Sequence, residues 1–267
     1  MEHLAAFLSP LAPCLCGWMT CFDSRVVWDA DDVGFGDTHD LVALSIDDVP
    51  RKGTTVQDVH AIMALLKEYD ARVTFFAFFD QLNVPDTDPK APMVREFIRA
   101  VKENGHELGI HFPGRWGNQM SLTELEFKVQ QSRGLGLKRF FMDIKFLRMP
   151  GGFSTPAQVT LIEKYGLTVV NGTAYPGDAD VCQCLSALAL GRCAARLANS
   201  DGRIAILHDD RRLLAKVHAF LEQLSAQGKR AVTLRELLER PPELTPHLVD
   251  IPNAVDNSSV PTMFMPF

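Results

Sequence analysis

Two adjacent carboxylates, Asp47 and Asp48, directly follow a short apolar run, Leu41-Val-Ala-Leu-Ser-Ile46. Neighbouring acids of this kind can divide their labour, one binding a divalent metal and the other taking a proton. Three further polar groups stand where later apolar runs end: His111, Arg148 and the pair His208-Asp209. A histidine beside the acids completes part of a nitrogen–oxygen metal site. An arginine orients a carboxylate through a forked, charge-assisted hydrogen bond. A second histidine across the opening can donate a proton to a departing amine. Each feature alone has a plainer reading, a helix cap for the acids and a core or surface residue for each histidine. Their shared position at strand ends is what points to an enzyme-like site.

The elements that must bring these residues together alternate along the chain. Strands are expected at 41–46, 72–79, 107–111, 144–148, 167–171, 203–207 and 231–234, from short apolar or β-branched runs. Helical spacing covers 54–69, 92–103, a segment opened by the cap pattern Ser121-Leu-Thr-Glu124, a segment opened by Ser154-Thr-Pro156, 185–197 and 213–227. About seven strands alternating with helices predict an α/β fold with a parallel sheet, either barrel or doubly wound. In a (β/α) barrel the catalytic groups sit at the C-terminal strand ends, where Asp47, His111, Arg148 and His208 fall. His106 lies an odd number of residues from His111 and should face the other side of its strand. His3, His39, His60, His218 and His247 end no expected strand and are read as ordinary core or surface residues.

Three segments are expected: an N-terminal extension over 1–40, a domain over 41–239 and a Pro-rich, largely unstructured tail over 240–267. The net charge of −6 and the lack of a Lys/Arg stripe exclude nucleic acid as the main partner. The six cysteines fall in two clusters, Cys14, Cys16 and Cys21, then Cys182, Cys184 and Cys193, without zinc-site spacing. A bridge between the clusters requires an oxidising compartment. The apolar stretch from Leu4 to Phe22 carries two prolines and no preceding basic residue. It leaves secretion or membrane association as one alternative and the cytoplasm as the other. Asn257-Ser-Ser259 is a glycosylation sequon that matters only if the protein is secreted, and Asn171-Gly-Thr173, at a strand end, is read as coincidence.

With these residues in order, residues 41–239 resemble the NodB-homology polysaccharide deacetylases, the group that includes chitin deacetylases. The family's T-F-D-D motif reads Ser45-Ile46-Asp47-Asp48 here, its G-H-E-x-G-x-H frame reads Gly105-His-Glu-Leu-Gly-Ile-His111, and its R-x-P motif reads Arg148-Met-Pro-Gly-Gly152-Phe153. The late L-H-D reads Leu207-His208-Asp209, and Thr173-Ala-Tyr-Pro-Gly-Asp178 looks like a divergent fourth motif. The resemblance implies a distorted (β/α) barrel of about seven strands. It implies Asp47 as catalytic base, Asp48 and His111 as metal ligands, Arg148 as the holder of the base and His208 as general acid. It implies the Gly151 amide in the oxyanion hole and Asp178 as an orienting residue for Arg148 or His208. A divalent metal, zinc by the family's habit, and an N-acetylated glycan substrate of chitin or peptidoglycan type follow from the same resemblance.

One position departs from the pattern. Four residues after His111 the family carries a second histidine, or in some relatives an acid; this chain has Arg115. Arginine stays protonated and cannot ligate a metal. Pointing inward at ~4 Å, with an effective dielectric near 20, it opposes a cation by about 4 kcal/mol per unit-charge pair. Pointing outward, it leaves a gap for water or for Asp178, Asp209 or Asp210. Three readings stay open: an active metal-dependent deacetylase, a catalytically silent glycan-binding relative in which Arg115 pairs with Asp48, and an amidohydrolase acting on a small non-sugar amide. Trp116 and Tyr175 are the aromatics placed near the mouth for sugar stacking, with core packing as the alternative.

Overall fold

The computed structural model describes residues 23–28, 40–114, 117–172, 198 and 204–239. The expected helix over 185–197, Arg115, Trp116, Tyr175, Asp178, all six cysteines and the Pro-rich tail lie outside the described residues. The strands are β1 (Leu41–Val49), β2 (Thr74–Phe78), β3 (Glu107–His111), β4 (Phe146–Arg148), β5 (Thr168–Val169), β6 (Ile204–His208) and β7 (Arg230–Val232). All pair in parallel, in the order β5-β4-β3-β2-β1-β6, with β7 against the start of β1. The sheet curls as a distorted (β/α) barrel. Part of the N-terminal extension joins it: Val27 makes a parallel bridge to Val170, its N–H donating to the Val169 carbonyl at 3.0 Å.

The helices are α1 (Val56–Glu68), α2 (Phe79–Leu82), α3 (Ala91–Glu103), α4 (Leu122–Leu135), α5 (Pro156–Lys164), α6 (Leu213–Ala226) and α7 (Leu234–Leu238). Their starts follow capping chemistry. Thr55 and Thr155 each form a full reciprocal box, with Asp58 and Gln158. Ser121 accepts from the Glu124 amide, which is the forward half of the box expected there. None of the described helices is long and apolar enough to cross a membrane.

Two expectations need correction. The last strand ends at Val232, because the Thr233 hydroxyl accepts from the Glu236 amide and starts α7, which the apolar run through Leu234 concealed. The aromatic run 72–79 ends as strand at Phe78 and turns into α2.

Alternation along the strands decides which residues share a face. Ala43, Ser45 and Asp47 of β1, Thr74, Phe76 and Phe78 of β2, Glu107, Gly109 and His111 of β3, and Phe146 and Arg148 of β4 fall on one side by this rule. Ala43, Phe76 and Phe146 pack there with Val27, Val170, Ile204 and Val232 in a small core cluster. Leu44, Ile46, Phe75, Leu108, Ile110 and Leu147 face the other way, into the larger cluster under the helices. His106 goes with that second face: it meets Phe75 edge-on and its Nδ1 accepts from the Val73 amide.

Gly109, the inner glycine of the G-H-E-x-G-x-H frame, has a packing reason. A Cβ placed on it would lie 2.6 Å from Cε1 of Phe76, whose ring is fully buried. Gly109→Ala should therefore destabilise the protein by about 1–3 kcal/mol through overpacking. Gly134, inside α4, has open space around its Cβ position, so Gly134→Ala should stabilise by about 0.5–1 kcal/mol. Urea unfolding midpoints of the two variants should move in opposite directions.

Candidate active site

The strand register delivers the sequence-derived residues to one end of the sheet. Asp47 is the register partner of His208, and His111 is the partner of both Phe78 and Arg148. The hub is Arg148, 2% exposed. Its Nη1 donates to Asp47 Oδ1 at 2.6 Å and to Ser45 Oγ at 2.8 Å. Its Nε donates to the Val170 carbonyl at 3.1 Å and its Nη2 to the Asn171 carbonyl at 2.9 Å. Its guanidinium carbon stands 4.2 Å from the Phe76 ring centroid, a cation–π seat. Burial pushes the Arg148 pKa down, and the Asp47 charge pushes it back up. Ser45, where the family motif carries Thr, donates its own hydroxyl proton to the Ala205 carbonyl, so it joins β1, β4 and β6.

Asp48 cannot reach this end by strand alternation, which would turn it away from Asp47. Its backbone solves the problem: φ is 64°, left-handed, and the β1–β2 register slips between Ile46 and Val49. Aspartate adopts the left-handed region more readily than most non-glycine residues, and the bulge here uses it to turn the chain. The side chain is thereby re-aimed, with Asp48 Oδ1 3.5 Å from His111 Nε2. His111 is fixed from behind. Its Nδ1 lies 2.7 Å from the Arg148 carbonyl, which only accepts, so Nδ1 carries the proton and the Nε2 lone pair faces Asp48 when the ring is neutral. The ring also stacks on Phe78, with centroids 5.6 Å apart.

These two donors suit one divalent cation, since zinc bonds of about 2.0–2.2 Å from each fit across their separation. Catalytic zinc ordinarily takes three protein donors, and no group of three His, Cys, Asp or Glu stands together among the described residues. Two of the acids that could fill the place of the missing histidine are committed elsewhere. Asp209 accepts from the Arg51 amide at 2.9 Å, and Asp210 accepts from the Arg212 amide and pairs with Lys216. Asp178 lies outside the described residues, as does Arg115.

Gly151 and Gly152 form a left-handed turn after β4, with φ of 63° and 73°. Asn171 braces it by donating from Nδ2 to the Gly152 carbonyl at 3.2 Å. Asn171 is 3% exposed, so its amide serves the interior. Ser45, Phe76 and Asn171 had no chemical signature in the sequence; the glycine-rich turn and the arginine they serve did. Of the plainly read histidines, His60 bonds Glu96 and His218 meets Tyr69, both away from this end.

The buried pair sets a test. Arg148→Ala leaves the Asp47 carboxylate buried without its partner, so it should destabilise by about 3–5 kcal/mol. The double variant Asp47→Ala/Arg148→Ala should recover part of that loss, a coupling readable in a double-mutant cycle of urea melts.

Asp209 sets a second. Its side chain is 7% exposed, and burial raises its pKa from 3.8 to about 6 against the pull of Arg51. A carboxyl with a raised folded pKa adds stability below its unfolded value and loses it as pH rises through the folded one. This pH-dependent contribution is roughly 3 kcal/mol. Asp209→Asn should remove it, so wild-type stability minus that of the variant should fall between about pH 4 and 6 and then level off. His106, lowered to about 4 by burial, works with the opposite sign in nearly the same window and is common to both proteins.

Known proteins share the fold and the family of this chain. No curated protein sequence matches the chain significantly. Among solved structures, a wild-type CE4 family pseudoenzyme from Bacillus anthracis shares 16% identity and a TM-score of 0.61, over 82% of this chain and 70% of that one. A mutant of the peptidoglycan deacetylase PdaC from Bacillus subtilis shares 20% identity and a TM-score of 0.60, over 75% and 90%. A family 4 acetyl xylan esterase from Clostridium thermocellum, in complex with a cobalt ion, shares 24% identity and a TM-score of 0.60, over 74% and 90%. The family model described as polysaccharide deacetylase matches residues 36–170, just over half of the 267-residue chain. The chain belongs to the polysaccharide deacetylase family.

Proposed function

We propose that this protein is a hydrolase that removes acetyl groups from N-acetylated glycans of chitin or peptidoglycan type. The observation that carries the reading is the Asp48–His111 pair, two donors aimed at one point beside an Asp47 carboxylate held by Arg148. Asp47 takes the proton from a water as that water attacks the acetyl carbon. The Gly151 amide, in its left-handed turn, donates to the oxyanion that forms. His208, on the strand beside Asp47, protonates the departing amine. Asp178 orients Arg148 or His208. The products are acetate and a free amino sugar. Asp48 and His111 would hold a divalent cation, zinc by preference, which would polarise the acyl carbonyl when bound.

A second reading is favoured by one specific fact: two donors, and not three, meet among the described residues, with Arg115 in the sequence place of the other. On that reading the chain is a silent relative that binds a glycan without cleaving it, by analogy with the Bacillus anthracis pseudoenzyme whose fold it shares. A small non-sugar amide as substrate is the remaining variant of the first reading.

Acetate release separates these. The purified protein, stripped with chelator and reloaded with zinc or cobalt, should release acetate from N-acetylglucosamine oligomers faster than from small acyl amides. Asp47→Ala and His208→Ala should each lower the rate by about 10²-fold or more. No release with any metal, combined with calorimetric binding of the same oligomers, would replace the hydrolase reading with the silent one.

A further inference from the structure

Asp209, the last residue of the L-H-D motif, bonds to two parts of the segment that carries Asp47 and Asp48. Asp209 donates its backbone N–H to the Asp47 carbonyl at 2.9 Å, which extends the β1–β6 pairing past the end of both strands. Its carboxylate turns back to the loop after β1, where Oδ2 accepts from the Arg51 amide at 2.9 Å and Oδ1 stands 3.5 Å from Arg51 Nε. One residue thus grips the Asp47-Asp48 segment at its start and three positions beyond Asp48. Pro50 has no N–H, so Arg51 carries the first amide past it by which the loop can be tied. From the other side, Lys216 Nζ donates to the His208 carbonyl at 2.6 Å, and Lys216 is 3% exposed.

We propose that Asp209 is a positioning residue that couples the strand end carrying His208 to the loop carrying Asp47 and Asp48, and keeps Asp48 in the left-handed conformation that aims it at His111. The left-handed region is open to aspartate but not compulsory for it, so local bonds decide whether Asp48 stays there. Two ties that flank Asp48, the Asp47 carbonyl and the Arg51 amide, both end on Asp209, beside the Arg148 bond to the Asp47 carboxylate and the pairing of Val49 with Ala77. The bond that matters is the one to the backbone amide. An asparagine, whose side-chain oxygen also accepts, should therefore replace Asp209 where an alanine does not. The catalytic consequence rests on the deacetylase reading above; the coupling itself does not.

Two measurements on the full chain separate the coupling from that reading. The first is the ring-nitrogen NMR spectrum of the histidines, with each signal assigned by substitution. Asp209→Ala should move the His111 and His208 signals and leave those of His60 and His218, on other surfaces, in place. Asp209→Asn should return both toward the wild-type positions. The second is acetate release: Asp209→Ala should lower kcat at least tenfold with KM within threefold, and Asp209→Asn should recover most of the loss. If Asp209→Ala fails to fold, Arg51→Pro, which removes the same amide donor and leaves Asp209 intact, should produce the same displacement of the His111 signal. Unchanged His111 and His208 signals in Asp209→Ala, or in Arg51→Pro in its place, overturn the proposal. Displaced signals in a protein that releases no acetate uphold the coupling and count against the hydrolase reading alone.

Discussion

The site depends on one buried contact, the Arg148 guanidinium against Asp47. A lone charge in this position would be expelled or neutralised, since the effective penalty for burying an ion is several kcal/mol. Arg148 escapes that because four of its five N–H donors reach an acceptor: Ser45, Asp47, Val170 and Asn171. Phe76 supplies a ring face beneath the cation. Each of those partners needs its own neighbour. Phe76 needs a glycine at 109, Ser45 leans on β6 through Ala205, and Asn171 is tied to Val27 by its backbone amide. The strand order brings β1, β2, β4 and the end of β5 within reach of this one side chain.

The alternation of strand and helix, and the polar residues closing the strands, were legible because both follow local rules: period-two burial, helix caps and glycine stops. The strand ends at His111 and Arg148 fall where the apolar runs stop. The remainder was hidden for identifiable reasons. Thr233 reads as one more β-branched strand residue until its hydroxyl is seen capping α7. Val27 sits in a segment without periodicity and is recruited by the exposed edge of β5. Phe76 looks like any core aromatic, because its use as a seat for Arg148 is set by a strand two positions away in the sheet. Asp48 is the sharpest case. Two adjacent acids after a strand should face opposite ways, and nothing in the composition of the loop announces a left-handed residue that brings them to one mouth.

The site divides into two parts with different reasons to exist. Asp47, Arg148, Ser45 and Asn171 are buried and mutually bonded, so the fold itself holds them in place. A family member that had lost its chemistry would keep them, because breaking the pair costs more stability than most single changes. Their presence therefore says little about activity. Asp48 and His111 are another matter. Asp48 is 39% exposed on its side chain and adopts a left-handed backbone conformation. Asp70 and Phe141 are left-handed as well; at Asp48 the conformation also turns the carboxylate toward His111. Asp48 thus depends on the loop at the end of β1 for its aim, whereas Asp47 is held by the packed interior around Arg148.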